Sequence, residues 1–197
     1  MQGDTIVFTE GINDLAFLEQ LHTRSGVEEY CDRFNNEESD ETQTQRIRQH
    51  RIGTSISYLY KCEGGRSELE DIYAREGPSI GEKGLDSVLM LDMDDDSSFS
   101  AVLDSLNSSL WDEWGSQISL AAKGNSQFTD DFVIKECSLE GNGDVFDEPT
   151  IIAFYNDMET ATGMSYGVEF SKKKYQAEQY FKDQPDEVDA LIDVLYL

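Results

Sequence analysis

Two apolar runs in this chain end abruptly in carboxylates. Thr5-Ile6-Val7-Phe8-Thr9 leads into Glu10-Gly11-Ile12-Asn13-Asp14, and Ser87-Val88-Leu89-Met90-Leu91 leads into Asp92-Met93-Asp94. Carboxylates are hard oxygen ligands, and with nothing basic beside them in sequence they suit Mg²⁺, or Mn²⁺ in its place. Asp92 and Asp94 stand two apart, so on an extended strand both would face one way and could share an ion. A divalent cation neutralises charge on a phosphodiester, which phosphoryl transfer requires. The chemistry these residues point to is metal-dependent work on phosphate.

For the acids to meet, both runs must be neighbouring parallel strands, because ligands of open α/β sheets bind in the crevice at the strands' carboxyl ends. The flanking periodicity supplies such elements. Thr5–Thr9 reads as a strand, and Asn13 or Asp14 can cap a helix with Leu15, Leu18 and Leu21 on its inner face. Ser55–Tyr60 reads as a second strand, closed by Gly64-Gly65. Ser67 and Glu70 form an S-x-x-E capping box, predicting a short helix with Leu69, Ile72 and Tyr73 inward. Gly77-Pro78 and Gly81–Gly84 read as breakers before the strand Ser87–Leu91. Phe99, Val102, Leu103, Leu106 and Leu110 then mark a clear amphipathic helix.

The last third is less regular. Phe132–Ile134 and Thr150–Tyr155 read as strands with a turn at Gly141–Gly143 between them, and Val188, Leu191, Ile192 and Leu195 mark a terminal helix. The polar stretch Asn35–Arg51 reads as a surface insertion. The fold class expected is therefore α/β, with a mainly parallel central sheet flanked by helices. Residues 1–118 would form the core, with the polar insertion near 35–52. Residues 119–197 would form an α+β extension packed on the same domain.

Composition narrows the setting. The 197 residues carry 41 acidic against 15 basic side chains, a formal net charge of −26. Disorder does not account for this, because 38% of residues are apolar and they fall in periodic segments. A folded protein with an Asp- and Glu-saturated surface, as in organisms with a salty cytoplasm, is the expected setting, since only high ionic strength screens such self-repulsion. Cys31, Cys62 and Cys137 are too few and too far apart for a disulfide framework or structural zinc, and read as free thiols. No apolar run approaches transmembrane length, and the N-terminus lacks a basic segment followed by an apolar one. A cytoplasmic protein with no membrane partner is expected.

Thr9-Glu10-Gly11-Ile12-Asn13-Asp14 after one strand and Asp92-Met93-Asp94 after another resemble the motifs of the Toprim domain. The first motif is similar to the E-G-x-x-D form of primases, small RNA-maturation nucleases and overcoming-lysogenization-defect nucleases. The resemblance spans about residues 4–115 and implies a Rossmann-like core. It implies that Glu10 acts as general acid or base or helps ligate metal, that Asp92 and Asp94 bind Mg²⁺, and that Asp14 fills the acidic position of the first motif. Ser138-Leu139-Glu140 is similar to an S-x-E element that supports a second metal in the lysogenization-defect nucleases, although a loop beside Gly141 explains it equally. No G-x-x-x-x-G-K sequence accompanies these motifs, so an intrinsic ATPase is not expected.

Remaining candidates are cationic or aromatic. Lys172-Lys173-Lys174 holds three of the 15 basic residues and reads either as a phosphate-contacting patch or as the solubilising face of a helix beginning near Ser171. Arg66, beside Gly64-Gly65, could meet a phosphate near a helix N-terminus. His22 and His50 are isolated and read as structural or exposed. Trp111 and Trp114 sit at helical spacing and read as packing residues. The function expected is Mg²⁺-dependent phosphodiester hydrolysis on DNA or RNA. The alternative is a catalytically silent Toprim-like module that binds a partner protein within a nucleic-acid processing or defence complex.

Overall fold

Ile6, Val7 and Phe8 are all fully buried, as an unbroken apolar run must be when a strand is covered on both faces. A computed structural model, describing residues 4–28, 31–34, 58–81, 84–94 and 98–196, has this arrangement. The strands are β1 (Thr5–Thr9), β2 (Cys31–Phe34), β3 (Tyr58–Cys62), β4 (Asp86–Asp92), β5 (Ser119–Ala122), β6 (Gln127–Phe128), β7 (Phe132–Gly141), β8 (Asp144–Asp147) and β9 (Thr150–Phe154). The sheet runs β2-β3-β1-β4-β9-β7-β5, with β6 and β8 also paired to β7. From β2 to β9 every neighbour is parallel, and all pairings of β7 are antiparallel. Among the described residues the chain is thus α/β with a mixed, mostly parallel sheet. The strands after residue 118 extend this same sheet.

Alternation along the strands divides the core in two. Val7, Tyr60, Met90 and Ile152 face α1 (Ile12–Ser25), α5 (Phe170–Asp183) and α6 (Pro185–Tyr196). Phe8, Leu59, Leu89 and Ile151 face α2 (Arg66–Gly81) and α3 (Phe99–Trp114). On the first face Phe17 packs edge-on against Phe154 at 6.2 Å and Phe181 at 5.0 Å, joining α1 to β9 and α5. The short helix α4 (Met158–Thr162) follows β9.

This layering creates the crevice. The helix after β1 covers one face, the helix after β4 covers the other, and β1 and β4 are direct neighbours. Their carboxyl ends therefore flank a topological switch point, where the connections leave in opposite directions.

Several boundaries differ from the sequence-based expectation. The cap of α1 is Gly11, with Asp14 at its third position accepting a hydrogen bond from the Gly11 N–H. Arg66 and Ser67 lie inside α2, so Ser67 does not cap it. The helix also runs through Gly77, Pro78 and Gly81 instead of breaking there. Pro78 cannot donate to the Ala74 carbonyl one turn back. Trp114 Nε1 donates to that carbonyl instead, at 2.7 Å, so the acceptor the proline leaves unpaired is satisfied. Gly81 is required by close packing: a Cβ there would lie 1.8 Å from the Phe146 carbonyl oxygen of β8. Gly141–Gly143 turns β7 into β8, not into β9. Trp111 does not pack as expected, being 61% exposed. The strand expected at Ser55–Tyr60 runs Tyr58–Cys62, and residues 55–57 lie outside the described part. Asn35–Arg51, with His50, also lies outside it.

Candidate metal centre

Register decides which acids meet. Thr9 pairs with Met90 of β4 and Cys62 of β3, so Glu10, Asp92 and Glu63 emerge together at the strand ends. They line a cleft of about 340 Å³ with Asp14, Glu159 and Tyr166. Gly64 and Gly65 border it opposite α1. Gly65 has φ +137, a conformation that favours glycine, and two residues without side chains keep that wall low.

Each central carboxylate is anchored by the backbone. Glu10 Oε1 accepts from the Asp92 N–H at 2.7 Å. Asp92 Oδ1 accepts from the Met158 N–H at 2.8 Å. Asp14 Oδ2 accepts from the Gly11 N–H at 2.8 Å. The strand ends and two helix starts thus hold three acids around one opening. Glu159, from the first turn of α4, has one buried carboxylate oxygen without a close hydrogen bond among the described residues, while the Tyr166 hydroxyl interacts with the same carboxylate.

Burial and crowding raise all three central acids. Desolvation pushes Glu10 up to about 8, with the charges of Asp14 and Asp94 adding to it and the hydrogen bond from Asp92 opposing. Asp14 is pushed up to about 7, first by burial and then by the charge of Glu159. Asp92 is pushed up to about 9 by burial, then by Asp14 and Glu10. Arg66 lowers Glu10 only as a minor opposing charge. Its guanidinium is held by Glu70 Oε1 at 2.8 Å and the Asp92 carbonyl at 3.2 Å. Glu63 differs from the others, because its charge is matched by the buried Lys61.

The donor set fits a divalent cation. The donors are hard oxygens, a desolvated oxygen of Glu159 lies among them, and positive charge in the cleft would relieve their mutual repulsion. Among the described residues, no three acid, histidine or cysteine side chains already surround a point that could hold an ion. A cation held by three of them would need their side chains to rotate toward one point.

The other sequence candidates lie as follows. β4 ends at Asp92, and Asp94 has φ +45, donating its N–H to the Asn156 carbonyl at 2.6 Å. The two aspartates therefore do not share one strand face. Asp94 borders a neighbouring groove with Phe99 and Phe128, while its charge still reaches Glu10. Ser138 and Glu140 lie on β7 beyond the pairing of Glu136 with Thr150, at the end of the sheet opposite the cleft. The three lysines do not form one patch, because consecutive residues on α5 point in different directions. Lys172 is exposed, Lys173 is buried, and Lys174 pairs with Glu19 at 3.3 Å. Asp95 and Asp96, which follow Asp94 directly in sequence, lie outside the described residues.

Glu159 was not singled out in the sequence, yet a signal was present. Thr150-Ile151-Ile152-Ala153-Phe154 is a third apolar run followed closely by acids, Asp157 and Glu159. Asn13 and Lys173 gave no such signal, because they join Glu159 only through tertiary contacts. His22 sits among aromatic rings, with Nδ1 3.1 Å from the Tyr60 hydroxyl. The three cysteines are free. Among the described residues no helix is long and apolar enough to cross a membrane.

The raised acids make stability depend on pH in a defined direction. In the unfolded chain these carboxyls ionise near 4, from their ordinary values of 4.5 and 3.8. The folded protein then binds more protons than the unfolded one across the window up to about 9. Their contribution is fully present below about pH 4 and is lost as pH rises through 7 to 9. With chelator present, the cleft should therefore make the melting temperature fall across that window. In Glu10→Gln and Asp92→Asn proteins the fall should be shallower. Equal slopes in wild type and variants would show that these acids are not the source.

No family model matches the chain, and no match is found among curated proteins or solved structures.

Proposed function

We propose that the strand-end cleft binds a divalent cation, Mg²⁺ or Mn²⁺, and hydrolyses phosphodiesters of nucleic acid. The observation that carries this reading is the convergence of Glu10, Asp14 and Asp92 at the switch point, desolvated and, among the described residues, opposed only by the minor charge of Arg66 on Glu10. A bound divalent cation would supply positive charge against which a phosphodiester can be polarised. Asp92 and Asp14 are the residues that would hold it, each fixed by a backbone N–H. Glu10, raised to about 8, can hold or release a proton near neutral pH, as a general acid or base must. Its attachment to the Asp92 N–H keeps that proton at the cleft. The similarity of Thr9–Asp14 and Asp92–Asp94 to Toprim motifs supports the same assignment, as part of a cytoplasmic protein adapted to salt.

A specific observation favours a second reading, a catalytically silent module that binds a partner protein. The three lysines are dispersed over α5, and nucleic acid binding normally draws on clustered cations. The deciding experiment measures cleavage of single- and double-stranded DNA and RNA in molar KCl, with Mg²⁺, Mn²⁺ or chelator. Cation-dependent cleavage of any substrate supports the nuclease. Absence of cleavage on all of them, together with capture of a defined partner, favours the silent module.

A further inference from the structure

Lys173 is the most deeply buried of the three consecutive lysines, 4% exposed on the inner side of α5. Its ammonium donates to Asn13 Oδ1 and, at 3.1 Å, to the Ser165 carbonyl. Asn13, itself 3% exposed, uses its amide nitrogen to donate to Glu159 Oε1. A chain of hydrogen bonds thus runs from α5 through the first turn of α1 to α4. It ends on a carboxylate that lines the acidic cleft.

The chain orients Glu159 in a specific way. Oε1 is occupied by Asn13, which leaves Oε2 buried without a close hydrogen bond among the described residues, while the Tyr166 hydroxyl interacts with the same carboxylate at the cleft. A desolvated carboxylate oxygen without a close donor is unfavourable, and a cation in the cleft would compensate it. Glu159 lines the same cleft as Asp14 and Asp92, and its charge acts on both. Three elements remote in sequence are used to hold one more hard oxygen at the same opening.

We infer that Glu159 is a further ligand of the cation in this cleft, and that Lys173 is a positioning residue that acts on it through Asn13. The inference rests on the cation reading of the cleft. It gives Lys173 a role distinct from contact with phosphate. The lysine spends its charge inside the protein, where it orders a carboxylate that would otherwise be repelled by its neighbours. Loss of an outer partner of this kind typically weakens metal binding about 10–100-fold.

The test reads Mn²⁺ affinity by calorimetry, alongside melting temperature, for wild type, Glu159→Gln, Asn13→Ala, Lys173→Met and the double variants with Glu159→Gln. Glutamine can still accept from Asn13, so Glu159→Gln removes ligand charge while keeping the hydrogen bond. Glu159→Gln and Lys173→Met should each weaken Mn²⁺ binding about 10-fold or more. Adding Lys173→Met to Glu159→Gln should weaken it little further, because a relay that works through Glu159 has nothing left to position. If Lys173→Met does not fold, the Asn13→Ala and Glu159→Gln cycle makes the same comparison. Wild-type affinity in Glu159→Gln overturns the inference while leaving the cation reading intact. Fully additive losses overturn the relay. A wild-type protein that binds no Mn²⁺ overturns both the inference and the cation reading.

Discussion

Glu10→Gln should lower cation-dependent cleavage by about 10²–10⁴-fold, the range a general acid or base supplies, and Asp92→Asn should lower it strongly by weakening the hold on the cation, neither unfolding the protein. Both amides keep an acceptor oxygen for the backbone donor that fixes the native side chain, Met158 N–H for Asp92 and Asp92 N–H for Glu10. What they lose is charge. Burial and mutual repulsion already disfavour that charge, which is why Glu10 and Asp92 are raised to about 8 and about 9. Above those values in chelator, both variants should melt at or above the wild-type temperature, by about 2–4 °C for each 1 kcal/mol of relieved penalty. Asp94→Asn should have a smaller effect on turnover, because Asp94 borders the adjacent groove and reaches the cleft mainly through its charge on Glu10. Cleavage kinetics and melting curves in one high-salt buffer check all three. Wild-type turnover in Glu10→Gln would remove it from the chemistry.

The melting temperature should rise with KCl from about 0.1 M well into the molar range, where the screening length falls from about 10 Å to about 3 Å. The reason is the net charge of −26 on 197 residues. Local pairing relieves little of it. Surface pairs such as Lys123 with Glu148 and Lys182 with Glu178 are screened by water and offset little of the repulsion. Chelator must be present, so that screening of the surface is not confused with cation binding in the cleft. A melting temperature that stays flat or falls would remove the salt-adapted reading. It would also remove the reason for expecting a polyanion to bind where lysines are scattered.

The order of strands and helices, and the acids after β1 and β4, were legible in sequence because they depend on local chemistry. An unbroken apolar run marks a strand covered on both faces, a period of 3.6 marks the inner face of α3 and α6, and an apolar run ending in carboxylate marks a strand end. Glu10, Asp14 and Asp92 could be named as one group on that basis, and the register of β1 with β4 brings them to one opening. Local chemistry also misled where a distant group compensates. Gly77 and Pro78 read as breakers, yet Trp114 supplies the hydrogen bond that Pro78 cannot make, and α2 continues to Gly81. The pairing of β9 beside β4 and the backbone turn at Asp94 are tertiary decisions. The first adds Glu159 to the cleft, and the second takes Asp94 off the face of Asp92. Three consecutive lysines are likewise one basic run in sequence but three environments on a helix, where each residue turns about 100° from the last. Which one is buried depends on what packs against α5. Asn13 and Ser165 meet Lys173 there, contacts set by the packing of α1 and the loop after α4 rather than by any pattern along the chain.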